Sequence, residues 1–196
     1  MLSLKDSLVV LKKTNALLEG HFVLSSGLHS PKYVQCAKLL SYPHLSKNFC
    51  KSLSQKVKKK IKKIDLIISP AMGGIIIGYE LGRILKKETI FCERVKGKFK
   101  LRRGFFIKKN SRVLIVEDVI TTGKSSLECA SLIKKSKAKI IGFACLIDRT
   151  NKKTLKIKKH KLISQIKIDV PTFPKNKLPS FLKKIPITKP GSRFIK

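Results

Sequence analysis

Residues 117–126 read EDVITTGKSS and directly follow the apolar run VLIV. Their types suit a ligand with two different needs. The closing GKS resembles the end of a P-loop, but the G-x-x-x-x-G-K-[ST] spacing requires glycine where this chain has Asp118. Carboxylates at the mouth of a polyphosphate cradle would also repel the anion. A nucleoside-triphosphate loop is therefore excluded. Carboxylates accept hydrogen bonds from hydroxyls, whereas a Gly/Thr/Ser loop opening a helix donates N–H groups to a phosphate at the positive end of the helix dipole. A sugar phosphate offers both. In a ribose 5-phosphate the 2- and 3-hydroxyls would lie near Glu117 and Asp118, and the phosphate on Thr121, Thr122, Gly123, Lys124 and Ser125. The plainer alternative has the two acids ending a buried strand and Ser125 or Ser126 capping the next helix. Two consecutive carboxylates before T-T-G-K-S make that the weaker account.

Three other stretches could do chemistry. SPAMGG, residues 69–74, reads as a strand-to-helix turn whose glycines let the backbone approach an anion. ERVKGKFKLRR, residues 93–103, places Arg94, Lys96, Lys98, Lys100 and Arg102 on even numbers, with Val95, Phe99 and Leu101 on odd ones. In a two-stranded ribbon a period of two puts these cations on one face. Three of the chain's seven arginines fall in this stretch, so it stands above the lysine background. Taken alone it also reads as an exposed hairpin that uses charge against edge aggregation. Asp148-Arg149 ends a buried apolar run. Arg149 is either an ordinary surface ion-pair partner or a bidentate clamp for a planar carboxylate or pyrimidine carbonyl.

The elements that must hold these groups can be read from periodicity. A helix is expected over residues 3–17, with Leu4, Leu8 and Leu11 on one face and Gly20 ending it. FVLSSG and KYVQCAKLL read as strands around the turn SGLHSP, and a helix over 44–60 follows Pro43. From Ile64 onward strand–loop–helix units take over: DLIIS, PAMGG and IIIGYELGRIL, then TIFCE, the basic hairpin, RVLIVED, a helix near 124–137 and KIIGFACLID. Short apolar strands alternating with helices imply an α/β fold, a parallel sheet flanked by helices. One domain is expected over 1–196, with a core of about 60–150 and a small hood from about 1–43 and 160–196.

The longest uncharged apolar stretch, Leu66–Tyr79, is 14 residues and contains Pro70, too short to span a bilayer. A secretory signal is not expected either, because Asp6 interrupts the N-terminal segment. Cys36, Cys50, Cys92, Cys129 and Cys145 are odd in number and contain no C-x-x-C, which points to reduced thiols and a cytoplasmic location. The net charge of +34 invites a nucleic-acid reading. Yet 38 lysines against 7 arginines, spread from Lys5 to Lys196, suit a solvated surface better than a recognition element.

EDVITTGKS is similar to the phosphoribosyl-diphosphate (PRPP) signature of the type I phosphoribosyltransferases. GHFVLSSGLHSPKYVQCAKLL, ISPAMGGIIIGYELGRIL, CLIDRT and the terminal PTFP…IPITKPGSR resemble the orotate branch of that family. The resemblance implies the type I phosphoribosyltransferase fold and transfer of phosphoribosyl from PRPP to orotate, giving orotidine 5′-monophosphate and diphosphate in UMP biosynthesis. It implies PRPP contacts along Glu117, Asp118, Val119, Ile120, Thr121, Thr122, Gly123, Lys124 and Ser125, and a diphosphate loop at Ala71, Met72 and Gly73. Orotate would meet Thr121, Arg149 and Ser26. The basic arm would be a mobile lid over the neighbouring subunit's site in a homodimer, its R-x-x-x-K spacing fitted by Arg94 and Lys98, with Lys98, Arg94 and Asp118 as the catalytic groups. Mg²⁺ would be held through substrate and water oxygens, with no direct protein ligand. The chain departs from some relatives at Gly73 and Ser25, where they carry lysine, and it lacks both the lid histidine and a C-x-x-C in the tail. No specific nucleic acid and no membrane partner are expected. The rivals are a phosphoribosyltransferase for another base and a PRPP-sensing, nucleic-acid-binding regulator that kept the fold.

Overall fold

A computed structural model describes residues 1–24, 27–150 and 162–188. The chain opens with α1 (Leu4–Lys13), capped by Ser3, whose hydroxyl accepts from the Asp6 N–H. This helix is shorter than its leucine spacing predicts. Asn15 takes a left-handed φ of 53° and Leu17 already begins a strand, so Gly20 lies inside that strand rather than ending the helix. β1 (Leu17–Val23) pairs antiparallel with β2 (His29–Val34), with an irregularity between Glu19 and Phe22. The segment after β2, read above as strand, is instead a short helix, α2 (Cys36–Leu40). Cys36, Leu39 and Leu40 are its buried residues, a spacing that a helix and not a strand puts on one side.

α3 (Pro43–Lys60) starts with proline in its first turn and ends in three lysines. Both features match the asymmetry of a helix dipole and its unpaired N–H groups. Next come β3 (Leu66–Pro70), α4 (Gly73–Leu85), β4 (Glu88–Val95), β5 (Lys98–Lys100), β6 (Arg112–Ile120), α5 (Lys124–Lys135), β7 (Lys139–Asp148) and β8 (Leu162–Lys167). The larger sheet has the order β5-β4-β3-β6-β7-β8, parallel throughout except for the β4–β5 hairpin. The buried runs of β3, β6 and β7 are continuous rather than alternating, as a parallel sheet covered on both faces requires. α3 and α4 cover one face, with Phe49, Leu53, Ile77 and Leu81 packed against Ile67, Leu114 and Val116. α5 covers the other, with Cys129, Ala130 and Ile133 against Ile68, Val113 and Ile115. The α/β expectation holds.

A second, three-stranded sheet has the order β2-β1-β9, β9 being Ile187–Thr188, which follows the short helix α6 (Ser180–Lys183). The N-terminal hairpin and the C-terminal segment therefore share one sheet. Two buried histidines strengthen the join: His21 Nδ1 lies 3.1 Å from the Ile185 carbonyl, and its Nε2 lies 2.6 Å from His29 Nδ1.

α4 sits unusually close to the sheet because Gly74, Gly78 and Gly82 recur every fourth residue. A β-carbon on Gly78 would overlap Ser69 Oγ, and one on Gly82 would overlap Thr89 Oγ1. Overpacking of this kind costs about 1–3 kcal/mol. Gly78→Ala should therefore lower Tm by several degrees, at roughly 2–4 °C per kcal/mol for a chain of this size. Ser69→Ala in the same chain should recover part of the loss, as read by thermal melts of the three proteins.

Candidate active site

In an open parallel sheet, ligands bind outside the carboxyl ends of the strands where the strand order reverses. Here β3 leads through α4 outward to β4, while its other neighbour β6 leads through α5 to β7 in the opposite direction. The crevice therefore lies beyond the ends of β3 and β6. Two of the stretches singled out above occupy those ends: residues 70–73 follow β3, and residues 121–123 follow β6.

The acidic pair does not end β6. The strand runs through Ile120, with Glu117 opposite Cys145 and Ile120 opposite Asp148. Successive strand residues point to opposite faces, and the two carboxylates diverge accordingly. Glu117 turns towards α5, where the buried Ser126 hydroxyl donates to its Oε1. Asp118 turns towards α4 and lies where a side chain on Gly73 would be, its Oδ2 only 2.7 Å from the position a β-carbon would take. Gly73 is thus glycine for room rather than for backbone freedom. The same contact shows that the 70–73 loop and the β6 acids form one site. The Ala71–Met72 peptide in this loop is cis, and Met72 is 81% exposed.

Burial sets the ionisation of both acids. It pushes the Glu117 carboxyl up to about 7, a rise that the hydrogen bond from Ser126 opposes and the neighbouring Asp118 reinforces. Asp118 is also raised by burial, against hydrogen bonds from its own N–H and that of Val119. Groups that favour the charged form, such as a cation, would draw protons off this pair.

Beyond Ile120 the chain bends through Thr121 and Thr122, and Gly123 takes a left-handed φ of 74° as the residue before α5. Thr121 and Lys124 are exposed, Thr122 and Ser125 half-buried. The first N–H groups of α5 have no partner within the helix and face the same edge as the acids.

Arg149 follows β7 and joins the loop through its N–H, which donates to the Ile120 carbonyl at 2.9 Å. Arg149 is half-buried, its Nε is buried with no hydrogen-bond partner among the described residues, and burial lowers the guanidinium pKa while the Tyr33 phenol opposes that shift. A half-buried guanidinium with such a donor suits an incoming carboxylate or carbonyl. Tyr33, whose hydroxyl lies 3.3 Å from Gln35 Oε1, is near enough to act on the Arg149 charge, a neighbour that the sequence reading missed. Its only signal there was an aromatic residue in the SGLHSPKYVQ segment. Ser26 lies outside the described residues, as does the end of the tail beyond Thr188.

The basic arm departs from its expected geometry. The β4–β5 turn has only two residues, Lys96 and Gly97, both at positive φ (48° and 78°). A two-residue turn pairs each even residue of β4 with an odd residue of β5: Arg94 with Phe99, and Val95 with Lys98. Directly opposed residues share a face. Arg94 therefore lies beside Phe99, while Lys98 and Lys100 lie on the opposite face with Val95 and Glu93. The reading of one cationic face is wrong because period-two counting does not survive a tight turn. A cavity of about 510 Å³ between Tyr79, Arg83, Lys86 and Thr89 lies at the far end of α4 from these loops.

The family model for the phosphoribosyl transferase domain matches residues 39–176. A protein of Parvibaculum lavamentivorans named orotate phosphoribosyltransferase is 48% identical over 185 residues, covering 94% of each chain. Its namesake from Phenylobacterium zucineum is 42% identical over 192 residues, covering 98% of each. The crystal structure of orotate phosphoribosyltransferase from Aeropyrum pernix is similar with a TM-score of 0.68 at 25% identity, over 82% of this chain and 92% of that one.

The raised Glu117 pKa has a stability consequence with a definite sign. The folded state holds the proton more tightly than the unfolded chain, so the contribution is fully present below pH 4.5 and is lost as pH rises through about 7. At 1.36 kcal/mol per unit this amounts to at most about 3 kcal/mol. Glu117→Gln should therefore melt with the parent near pH 4.5 and several degrees above it at pH 8. Paired melts across that range check this, and a constant offset would remove Glu117 as the cause.

Proposed function

We infer the reaction of this chain from one premise: it belongs to the phosphoribosyl transferase domain family and, within it, to the orotate phosphoribosyltransferases. It transfers the 5-phosphoribosyl group of PRPP to orotate, releasing diphosphate and forming orotidine 5′-monophosphate for pyrimidine nucleotide synthesis. On the structural side, the observation that carries the choice of base is Arg149, a half-buried guanidinium next to the β6 loop whose Nε–H has no partner among the described residues. Orotate is a planar base bearing a carboxylate, and such a group matches that fork. Adenine, guanine and uracil have no such charge.

On this reading the ring nitrogen of orotate replaces diphosphate at the anomeric carbon through an oxocarbenium-like state. The chain's tasks are to align the two substrates, to place positive charge where the leaving group becomes negative, and to exclude water. Arg149 and Thr121 orient the base, with Tyr33 and Ser26 lining it. Asp118 and Glu117 hold the ribose hydroxyls, and Thr121 to Ser125 receive the 5-phosphate. The opposite faces of the two acids give them separate approaches to the ring, Asp118 from the Gly73 side and Glu117 from the α5 side. Ala71, Met72 and Gly73 offer backbone to the diphosphate. Lys98, exposed on the outer face of the hairpin, and Arg94 are the arm cations that would swing onto it.

Mg²⁺ would be held here through diphosphate, ribose-hydroxyl and water oxygens, with Glu117 and Asp118 acting on it through the hydroxyls they hold. Bound there, the ion would neutralise charge on the diphosphate. We also infer a homodimer. Next to the 70–73 loop, Met72, Ile76 and Tyr79 expose 81%, 53% and 68% of their surface along one side of α4. A second copy would cover that apolar face and bring its arm to the site. Five free cysteines, all buried, agree with a reducing, cytoplasmic setting, and no described helix is long and apolar enough to cross a membrane.

With the purified protein, PRPP and Mg²⁺, diphosphate should be released only when orotate is added. Arg149→Ala should lower kcat/KM for orotate roughly 10- to 150-fold while sparing the melting temperature, since a hydrogen bond to a charged group contributes about 1.5–3 kcal/mol and its loss strands the substrate carboxylate. Turnover with another base but not orotate would replace the assignment. Ile76→Asp and Tyr79→Asp should each shift the sedimenting species from dimer to monomer; an unchanged mass would move the interface elsewhere.

A further inference from the structure

α5 carries an acidic residue that the reaction above leaves unexplained. Glu128 lies one turn inside the helix, and its Oε2 is 2.6 Å from Arg94 Nη2. The same guanidinium donates from Nη1 to the Gly97 carbonyl at 2.7 Å and stacks 4.2 Å above the Phe99 ring. Phe99 is buried in the cluster that contains Cys129 and Ala130 of α5. The hairpin face shared by Arg94 and Phe99 is thus turned down onto α5, and Lys98 is turned away.

The arm's other two arginines behave differently. Arg102 and Arg103 both meet Glu93, at 3.4 Å and 2.6 Å. Glu93 is part of the arm, so those pairs travel with it. Glu128 is part of the core. Among the described residues, Arg94–Glu128 is therefore the ion pair that ties the arm to a fixed element.

We propose that Glu128 is a positioning residue. With the arm down on α5 it holds Arg94 and competes with the diphosphate of PRPP for that guanidinium. The proposal rests on the reading of the arm as a lid that carries Arg94 to the leaving group. On closure Arg94 exchanges one carboxylate for a polyanion of higher charge, and Glu128 touches neither substrate. Its side chain and that of Arg94 are 31% and 42% exposed, so the competition is worth a few-fold rather than orders of magnitude.

The test is steady-state kinetics with PRPP varied, for the parent, Glu128→Gln, Glu128→Asp, Arg94→Ala and the Arg94→Ala/Glu128→Gln double variant, with melting temperatures alongside. Glu128→Gln should lower KM for PRPP about two- to five-fold without raising kcat. Glu128→Asp, which keeps the charge, should stay near the parent. In the Arg94→Ala background the Glu128 substitution should change nothing further. The parental gap in KM should also shrink at high salt, which screens the pair. An unchanged or higher KM in Glu128→Gln, with Arg94→Ala impaired, overturns the proposal, as does a lower Tm with no fall in KM. If Arg94→Ala matches the parent in kcat and KM, the lid role of Arg94 fails first and the proposal falls with it.

Discussion

A carboxylate at the edge of an apolar sheet is costly to keep charged, and this fold keeps two in succession. Glu117 and Asp118 prolong a strand whose preceding residues Val113–Val116 are fully buried. Burial raises the pKa of both, so each gains from a ligand that supplies hydroxyl donors or positive charge. The surroundings are arranged to tolerate the pair until then. Ser126 comes one turn into α5 to donate to Glu117, and Gly73 gives up its side chain so that Asp118 fits beneath α4. Both helices must therefore be placed closely on their strands before the site exists.

That placement comes from small residues. Gly74, Gly78 and Gly82 bring α4 so near to β3 and β4 that Ser69 Oγ is buried with no partner among the described residues, facing the helix backbone. An orphaned hydroxyl costs stability, and the return is geometric. The first residue of α4 stands directly over the end of β6. The hood solves a different problem with two histidines and a two-residue parallel strand, which clamp the C-terminal segment to the N-terminal hairpin. The hairpin also carries Tyr33, whose phenol acts on the Arg149 charge.

The surplus of positive charge divides into two populations. Most lysines are scattered and solvated, and they raise the encounter rate with anionic substrates without defining where these dock. The arm's arginines are each engaged by a glutamate, Glu93 or Glu128, whereas Lys98 and Lys100 stand exposed on the other face of the hairpin.

Much was legible in the sequence alone. Alternating short apolar runs and helical stretches gave the α/β architecture, because a covered parallel sheet leaves no polar face to disguise it. The signature at 117–125 could be read because it joins two incompatible-looking chemistries in nine consecutive residues. Arg149 stood out as a charge ending a buried run. Tertiary structure alone decided the rest. Whether Cys36–Leu40 extends or coils depends on what its apolar residues pack against, and the helix won. Which face Arg94 takes depends on a two-residue turn, since one residue more or fewer would have moved it beside Lys98. That Gly73 makes room for Asp118, and that Glu128 meets Arg94, are contacts between residues 45 and 34 positions apart in the chain. Local pattern carries no record of such meetings, because they are set by how helices lie across a finished sheet.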